Sequence, residues 1–170
     1  MIKHIYVDMD GVLADFFKRF EELFKTEPEI DYPSNTQKKK AFQKRWLDFV
    51  EGKNFETLDP MPDLEMGLKG LRILQKAVPV EILGSTAKPE FMDELAKQKK
   101  IWLDKHSIDF HPIFVPGKHL KRQYAGPNKV LIDDTVSNIE QWEEDGGIGI
   151  LHKDWVDTLT KLRNVCFDGA

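Results

Sequence analysis

The sequence is short of several features, and each shortage removes a class of protein. It has one cysteine, Cys166, so no intrachain disulfide can form and a cytoplasmic setting is expected. Cys166 itself reads as structural rather than reactive. No apolar run approaches the roughly 20 residues of a membrane span, so no membrane partner is expected. The N-terminal run Met1-Ile2-Lys3-His4-Ile5-Tyr6-Val7 is short and broken by charge, which does not suit a signal peptide. The five histidines, His4, His106, His111, His119 and His152, have no metal-ligand spacing. A net charge of −4 removes a strong general attraction to nucleic acid, so no stable nucleic-acid complex is expected. A local basic patch for an anionic substrate stays open. What remains is an ordinary soluble composition, 41% hydrophobic over 170 residues, enough for one domain with a real core and a small insertion.

Residues 2–7 are rich in β-branched and aromatic side chains and read as a buried strand ending at Asp8. After Gly11, Phe16, Phe17, Phe20, Leu23 and Phe24 recur at helical spacing. A second helical segment over 35–52 places Phe42, Trp46, Phe49 and Val50 on one face, with Ser34 as its expected N-cap. A helix over about 63–77 precedes a strand at 78–83, which ends at Gly84-Ser85-Thr86. A helix from Pro89 to His106, a strand at 110–115, a polar basic stretch at 117–125 and a strand at 129–132 follow. The chain closes with a helix over 135–145, a strand at 148–151 and a helix over 154–163. This alternation predicts an α/β fold, a three-layer sandwich with a parallel sheet between helices. The stretch from Asp8 to Ser85 is far longer than a crossover needs. Residues 16–60 are therefore expected to form a small helical cap inserted after the first strand. Residues 1–15 and 61–170 would then form the core domain.

Three polar clusters fall at carboxyl ends of predicted strands: Asp8-Met9-Asp10-Gly11, Gly84-Ser85-Thr86 and Asp133-Asp134. Ligands of open α/β sheets bind at that edge. Converging carboxylates repel by about 4 kcal/mol per pair at 4 Å and an effective dielectric near 20, so the cluster needs a cation or a proton. Hard oxygen ligands without histidine or cysteine favour Mg²⁺. In the pair Asp8 and Asp10, one carboxylate can attack phosphorus while the other serves as general acid and base. Gly11 lets the backbone turn there.

The run Asp8-Met9-Asp10-Gly11-Val12-Leu13-Ala14-Asp15 resembles the first motif of the haloacid dehalogenase superfamily of phosphatases. Ile82-Leu83-Gly84-Ser85 is similar to its second motif and Leu131-Ile132-Asp133-Asp134 to its acidic fourth motif. Within the superfamily the sequence looks like the 5′(3′)-deoxyribonucleotidases. The resemblance implies a nucleophile at Asp8 that becomes a phosphoaspartate. It also implies an acid and base at Asp10, and Mg²⁺ held by Asp8, the Asp10 carbonyl and Asp133 or Asp134. A phosphate ligand is implied at Ser85 or Thr86, since Gly84-Ser85-Thr86 departs from the Thr-Ser-Pro of the nucleotidases. The third-motif lysine matches best at Lys99, with Lys118, Lys121 and Arg122 as substitutes.

Each motif also has a plainer reading. Asp15 reads as a helix-start charge, and Ser85 and Thr86 as caps of the next helix. Phe16, Phe17, Trp46, Phe49 and Phe55 read as core, with one or two available to stack on a base. The lysines at 38–40, with Lys44 and Arg45, read as a solvated face that can also steer an anion. The expected substrate is a small phosphate ester, a nucleoside or deoxyribonucleoside monophosphate. Other small phosphate esters, a nucleic-acid 3′-phosphate end and a receiver-like phosphate-binding module are the alternatives, and a homodimer stays open.

Overall fold

The computed structural model describes residues 1–28 and 36–168; the Ser34 cap lies outside them. Five parallel strands form one sheet in the order β3-β2-β1-β4-β5. They are β1 His4–Val7, β2 Val80–Ser85, β3 His111–Val115, β4 Lys129–Asp133 and β5 Ile148–Leu151. The helices are α1 Phe16–Phe24, α2 Thr36–Glu51, α3 Leu64–Gln75, α4 Met92–Lys105, α5 Val136–Glu144 and α6 Trp155–Arg163.

Period-two alternation sorts strand side chains between two helical layers. Ile5, Val7, Ile82, Val130 and Ile132 enter one apolar cluster with Leu68 and Leu71 of α3, Leu95 and Trp102 of α4 and Leu162 of α6. Tyr6, Leu83 and Leu131 face the other way, onto Ile139 and Trp142 of α5 and onto Leu120 and Tyr124. Those last two residues belong to the 117–125 stretch, which folds as a 3-10 helix over Lys118–Tyr124. The result is the three-layer sandwich. Glycine allows α3 and α6 to approach: a Cβ on Gly67 of α3 would lie 2.2 Å from the Trp155 indole of α6.

The chain leaves central β1 toward β2 and β3, then crosses back to β4 and β5. β1 is thus the switch point of the sheet, where a crevice opens at the carboxyl ends of the strands. Between β1 and α3 lie α1, α2 and a 3-10 turn at Asn54–Thr57. Asp15 caps α1, accepting from the Lys18 N–H at 3.2 Å. Phe16, Phe20, Phe49 and Phe55 of this stretch lie in the same apolar cluster as the sheet. Gln98 and Trp102 of α4 donate side-chain hydrogen bonds to the carbonyls of Val50 and Leu58 at 2.8 and 2.7 Å. The stretch between β1 and α3 is thereby joined to the main core. Among the described residues, no helix is long and apolar enough to cross a membrane.

Candidate active site

The Asp8–Ala14 loop follows β1 and turns sharply, with the Met9 carbonyl accepting from the N–H groups of Val12, Leu13 and Ala14. Gly11 sits at φ 81°, and a Cβ there would lie 2.1 Å from Asp134 Oδ2. The position therefore needs glycine for its backbone and for its contact. That contact presses the loop after β1 against the end of β4. Oxygens of Asp8, Asp133 and Asp134 come within 4.8 Å of one another.

Two buried lysines enter this acidic group. Lys121 Nζ donates to Asp8 Oδ1 and Asp133 Oδ2, each at 2.7 Å. Lys99 Nζ donates to Asp10 Oδ2 at 2.7 Å and to the Ser85 carbonyl at 2.8 Å. Asp133 is fully buried and also accepts from the Thr135 N–H at 2.9 Å and from Asn138 Nδ2 at 3.0 Å. Asp134 has no ammonium partner among the described residues; the Thr135 hydroxyl approaches it at 3.4 Å.

Four carboxylates facing two ammonium groups leave an excess of negative charge, and the proton affinities follow. Burial raises the Asp8 carboxyl well above its ordinary range. Asp133 adds to this, Lys121 opposes it, and Asp134 and Asp10 add again. Asp134 is pushed up to about 7, first by burial and then by Asp133, against Lys121. Burial pulls the Lys121 ammonium down, but Asp133 and Asp8 outweigh it and hold it above its usual range. All three directions describe a cluster that one more cation would relieve.

A cavity of about 510 Å³ opens over this floor. Asp8, Asp10, Ser85, Lys121 and Asp134 line its base, and Phe16, Phe17, Phe42, Trp46 and Phe91 form an aromatic wall. Phe49 and Phe55 are buried core and do not reach it. The Ser85 hydroxyl accepts from the Ala87 N–H at 3.1 Å, which leaves its own proton to donate. Thr86, expected as a second phosphate ligand, does not line the cavity. It is fully buried, and its hydroxyl faces the Val115 carbonyl of β3 at 3.4 Å. Lys99 does not line the cavity either, although it touches Asp10, which does. Lys118 lies at the cavity, while Arg122 turns outward to pair with Asp145 and Glu144.

Asn138, Lys88 and His119 were not singled out as site residues from sequence, yet all three line the cavity. A signal existed for the buried lysine. Leu120 and Tyr124, which flank Lys121, are apolar and pack on the cluster of Tyr6, Leu83 and Leu131.

The sequence matches, over residues 1–161, the family described as 5′ nucleotidase, deoxy (Pyrimidine), cytosolic type C protein. Among solved structures, the fold is similar to that of a hydrolase from Streptococcus pneumoniae TIGR4. That pair shares 14% identity at a TM-score of 0.55, covering 95% of this chain and 98% of the other. It is also similar to a haloacid dehalogenase-like family hydrolase from Streptococcus pneumoniae, at 16% identity and a TM-score of 0.52. The coverage there is 87% of this chain and 83% of the other. At these identities the likeness is one of fold. No curated protein sequence matches the chain.

Proposed function

The chain belongs to the cytosolic type C 5′-nucleotidase family, phosphatases on the haloacid dehalogenase fold, and from that premise we propose that it is a Mg²⁺-dependent phosphomonoesterase of nucleoside monophosphates, with pyrimidine deoxyribonucleotides the first candidates. The observation that carries the reading is the meeting of Asp8, Asp10, Asp134 and Lys121 at the floor of one aromatic-walled cavity. A cavity of about 510 Å³ is in the range of small-molecule sites, which favours a mononucleotide over a polymer end. A cytoplasmic location belongs to the same proposal.

Asp8 is the nucleophile. Lys121 occupies its Oδ1, so Oδ2 is the oxygen that forms the bond to phosphorus. As that bond forms, the bond from phosphorus to the ester oxygen breaks. The leaving oxygen keeps the electron pair and takes a proton from the Asp10 carboxyl. Water then attacks phosphorus, the bond to Asp8 breaks with its pair returning to Asp8, and Asp10 takes the proton from that water. The Ser85 hydroxyl and the remaining Lys121 N–H donate to phosphoryl oxygens and stabilise the charge that builds on them. The donor set fits Mg²⁺: hard carboxylate oxygens with excess negative charge. Asp8, Asp134 and the Asp10 carbonyl would hold the ion, while Asp133, engaged by Lys121, Thr135 and Asn138, orients Lys121 and borders the ion. Bound there, Mg²⁺ would reduce the repulsion between the phosphoryl group and Asp8.

The test is phosphate release from a panel of nucleoside 5′- and 3′-monophosphates by wild type and Asp8→Asn, with Mg²⁺ and with chelator. Release by wild type with Mg²⁺ alone, and none by Asp8→Asn, is expected. Release by Asp8→Asn at the wild-type rate would remove Asp8 as nucleophile.

A further inference from the structure

The two buried lysines of the site differ in what they have left to offer. An ammonium group has three N–H donors. Lys121 spends two, on Asp8 and Asp133, and lines the cavity. Lys99 spends one on Asp10 Oδ2 and one on the Ser85 carbonyl, and its Nζ lies 5.1 Å from the centroid of the Phe55 ring. The ring face takes up the third direction. Lys99 is also fully buried and does not reach the cavity. It has neither a donor nor a path for a phosphoryl oxygen.

Its partner is placed differently. Asp10 lines the cavity, and its Oδ1 is shielded from solvent with no hydrogen-bond partner. The Asp10 side chain is still 24% exposed, so Lys99, by holding Oδ2, fixes the orientation of a carboxyl group that the cavity reaches. Lys99 thereby ties four parts of the fold to one carboxyl group: α4, the end of β2 at Ser85, the loop after β1, and Phe55 of the inserted segment.

We propose that Lys99 is a positioning residue for Asp10 and not a phosphate ligand, which leaves Lys121 as the lysine that meets the phosphoryl group. The inference rests on the phosphomonoesterase reading, and it assigns the two lysines to two different steps. Lys121 serves the bond to Asp8. Lys99 serves the proton that Asp10 gives to the leaving oxygen and later takes from water.

The experiment compares two esters in wild type, Lys99→Met and Lys99→Arg. Deoxythymidine 5′-monophosphate has an alkoxide leaving group that needs a proton; 4-nitrophenyl phosphate has one that leaves without it. For Lys99→Met, kcat on the nucleotide is expected to fall on the order of 10²-fold, the usual contribution of a general acid. KM should stay within about threefold, as for a group that does not bind the ground state. The first release of 4-nitrophenolate should persist as a burst of one per site, followed by slow turnover, because water is no longer deprotonated efficiently. Lys99→Arg should recover most of the nucleotide rate.

An equal loss on both esters with a raised KM would overturn the inference and make Lys99 a phosphate ligand. Crystal structures of wild type and Lys99→Met decide the same point without any turnover. The Asp10 carboxylate is expected to move while the Asp8–Lys121 pair stays, and an unmoved Asp10 refutes positioning. Should wild type hydrolyse neither ester, the nucleotidase reading falls and these structures still decide the role of Lys99.

Discussion

Gly11→Ala is the sharpest perturbation that the site offers, because two separate costs meet at one atom. The backbone there has φ 81°, where an L-residue costs about 1–2 kcal/mol. The new methyl would also stand 2.1 Å from Asp134 Oδ2 and 2.7 Å from its Cγ. Forcing a group into a packed site of this kind costs about 1–3 kcal/mol. Together they predict a loss of about 2–5 kcal/mol, or a fall in Tm of about 4–20 °C for a chain of this length. Chemical denaturation with chelator present isolates the effect from metal binding. Asp134→Ala removes the two shortest contacts and leaves the backbone cost with a 3.0 Å approach to Phe17. In that background Gly11→Ala should cost only about 1–2 kcal/mol, giving a coupling energy of about 1–3 kcal/mol in the double-mutant cycle. Equal costs in both backgrounds, or a single-mutant cost below about 0.5 kcal/mol, would refute the claim that the loop and Asp134 are fitted to each other.

Magnesium at about 100 times its Kd should add about 2.7 kcal/mol to stability and raise Tm by about 5–11 °C. Asp134→Asn should lose most of that rise, and a flat thermal response in wild type would count against the ion site. Lys121→Met leaves Asp8 and Asp133 buried without their shared cation, and a loss of about 3–5 kcal/mol is expected in denaturant titration. Stability equal to wild type would show that the pair is already neutral. His152 is held below the ordinary histidine range by burial, against Asp154 and Asp157 and with Lys161. The fold therefore favours the neutral ring, whose stability is full above about pH 6.5 and is lost as pH falls through the depressed folded value. His152→Gln should flatten the acid side of a stability–pH curve, and an unchanged slope would exclude His152 as the cause.

Much of this site is written in short-range pattern. Asp8-Met9-Asp10-Gly11 and Asp133-Asp134 end apolar strands, and strand ends on one edge of a parallel sheet must converge. The strands themselves announce their faces by alternation, as with Ile5, Tyr6 and Val7. The lysines are less legible, because a buried ammonium and a solvated one are the same letter. What distinguishes Lys121 is a pair of carboxylates, one of them 113 residues away in sequence. What distinguishes Lys99 is the turn of α4 that points it under Asp10 instead of into the cavity. Thr86 shows the same limit. Adjacent hydroxyl residues at a strand end face opposite ways, and the sequence does not say which one meets the ligand.

The central place of β1 also has a consequence for how the protein is made. Of the five described strands, the first to leave a ribosome is the one that ends with β2 on one side and β4 on the other. Asp8 must wait for Lys121, 113 residues later, which at about 5–20 residues per second is a delay of about 6–23 s. β2 and β3 can pair within that interval, but the β4 side of β1 stays open until residues 129–133 follow. The nascent chain is therefore exposed to association along the open edge of β1, and a holding chaperone would act there before Lys121 and Asp133 reach Asp8.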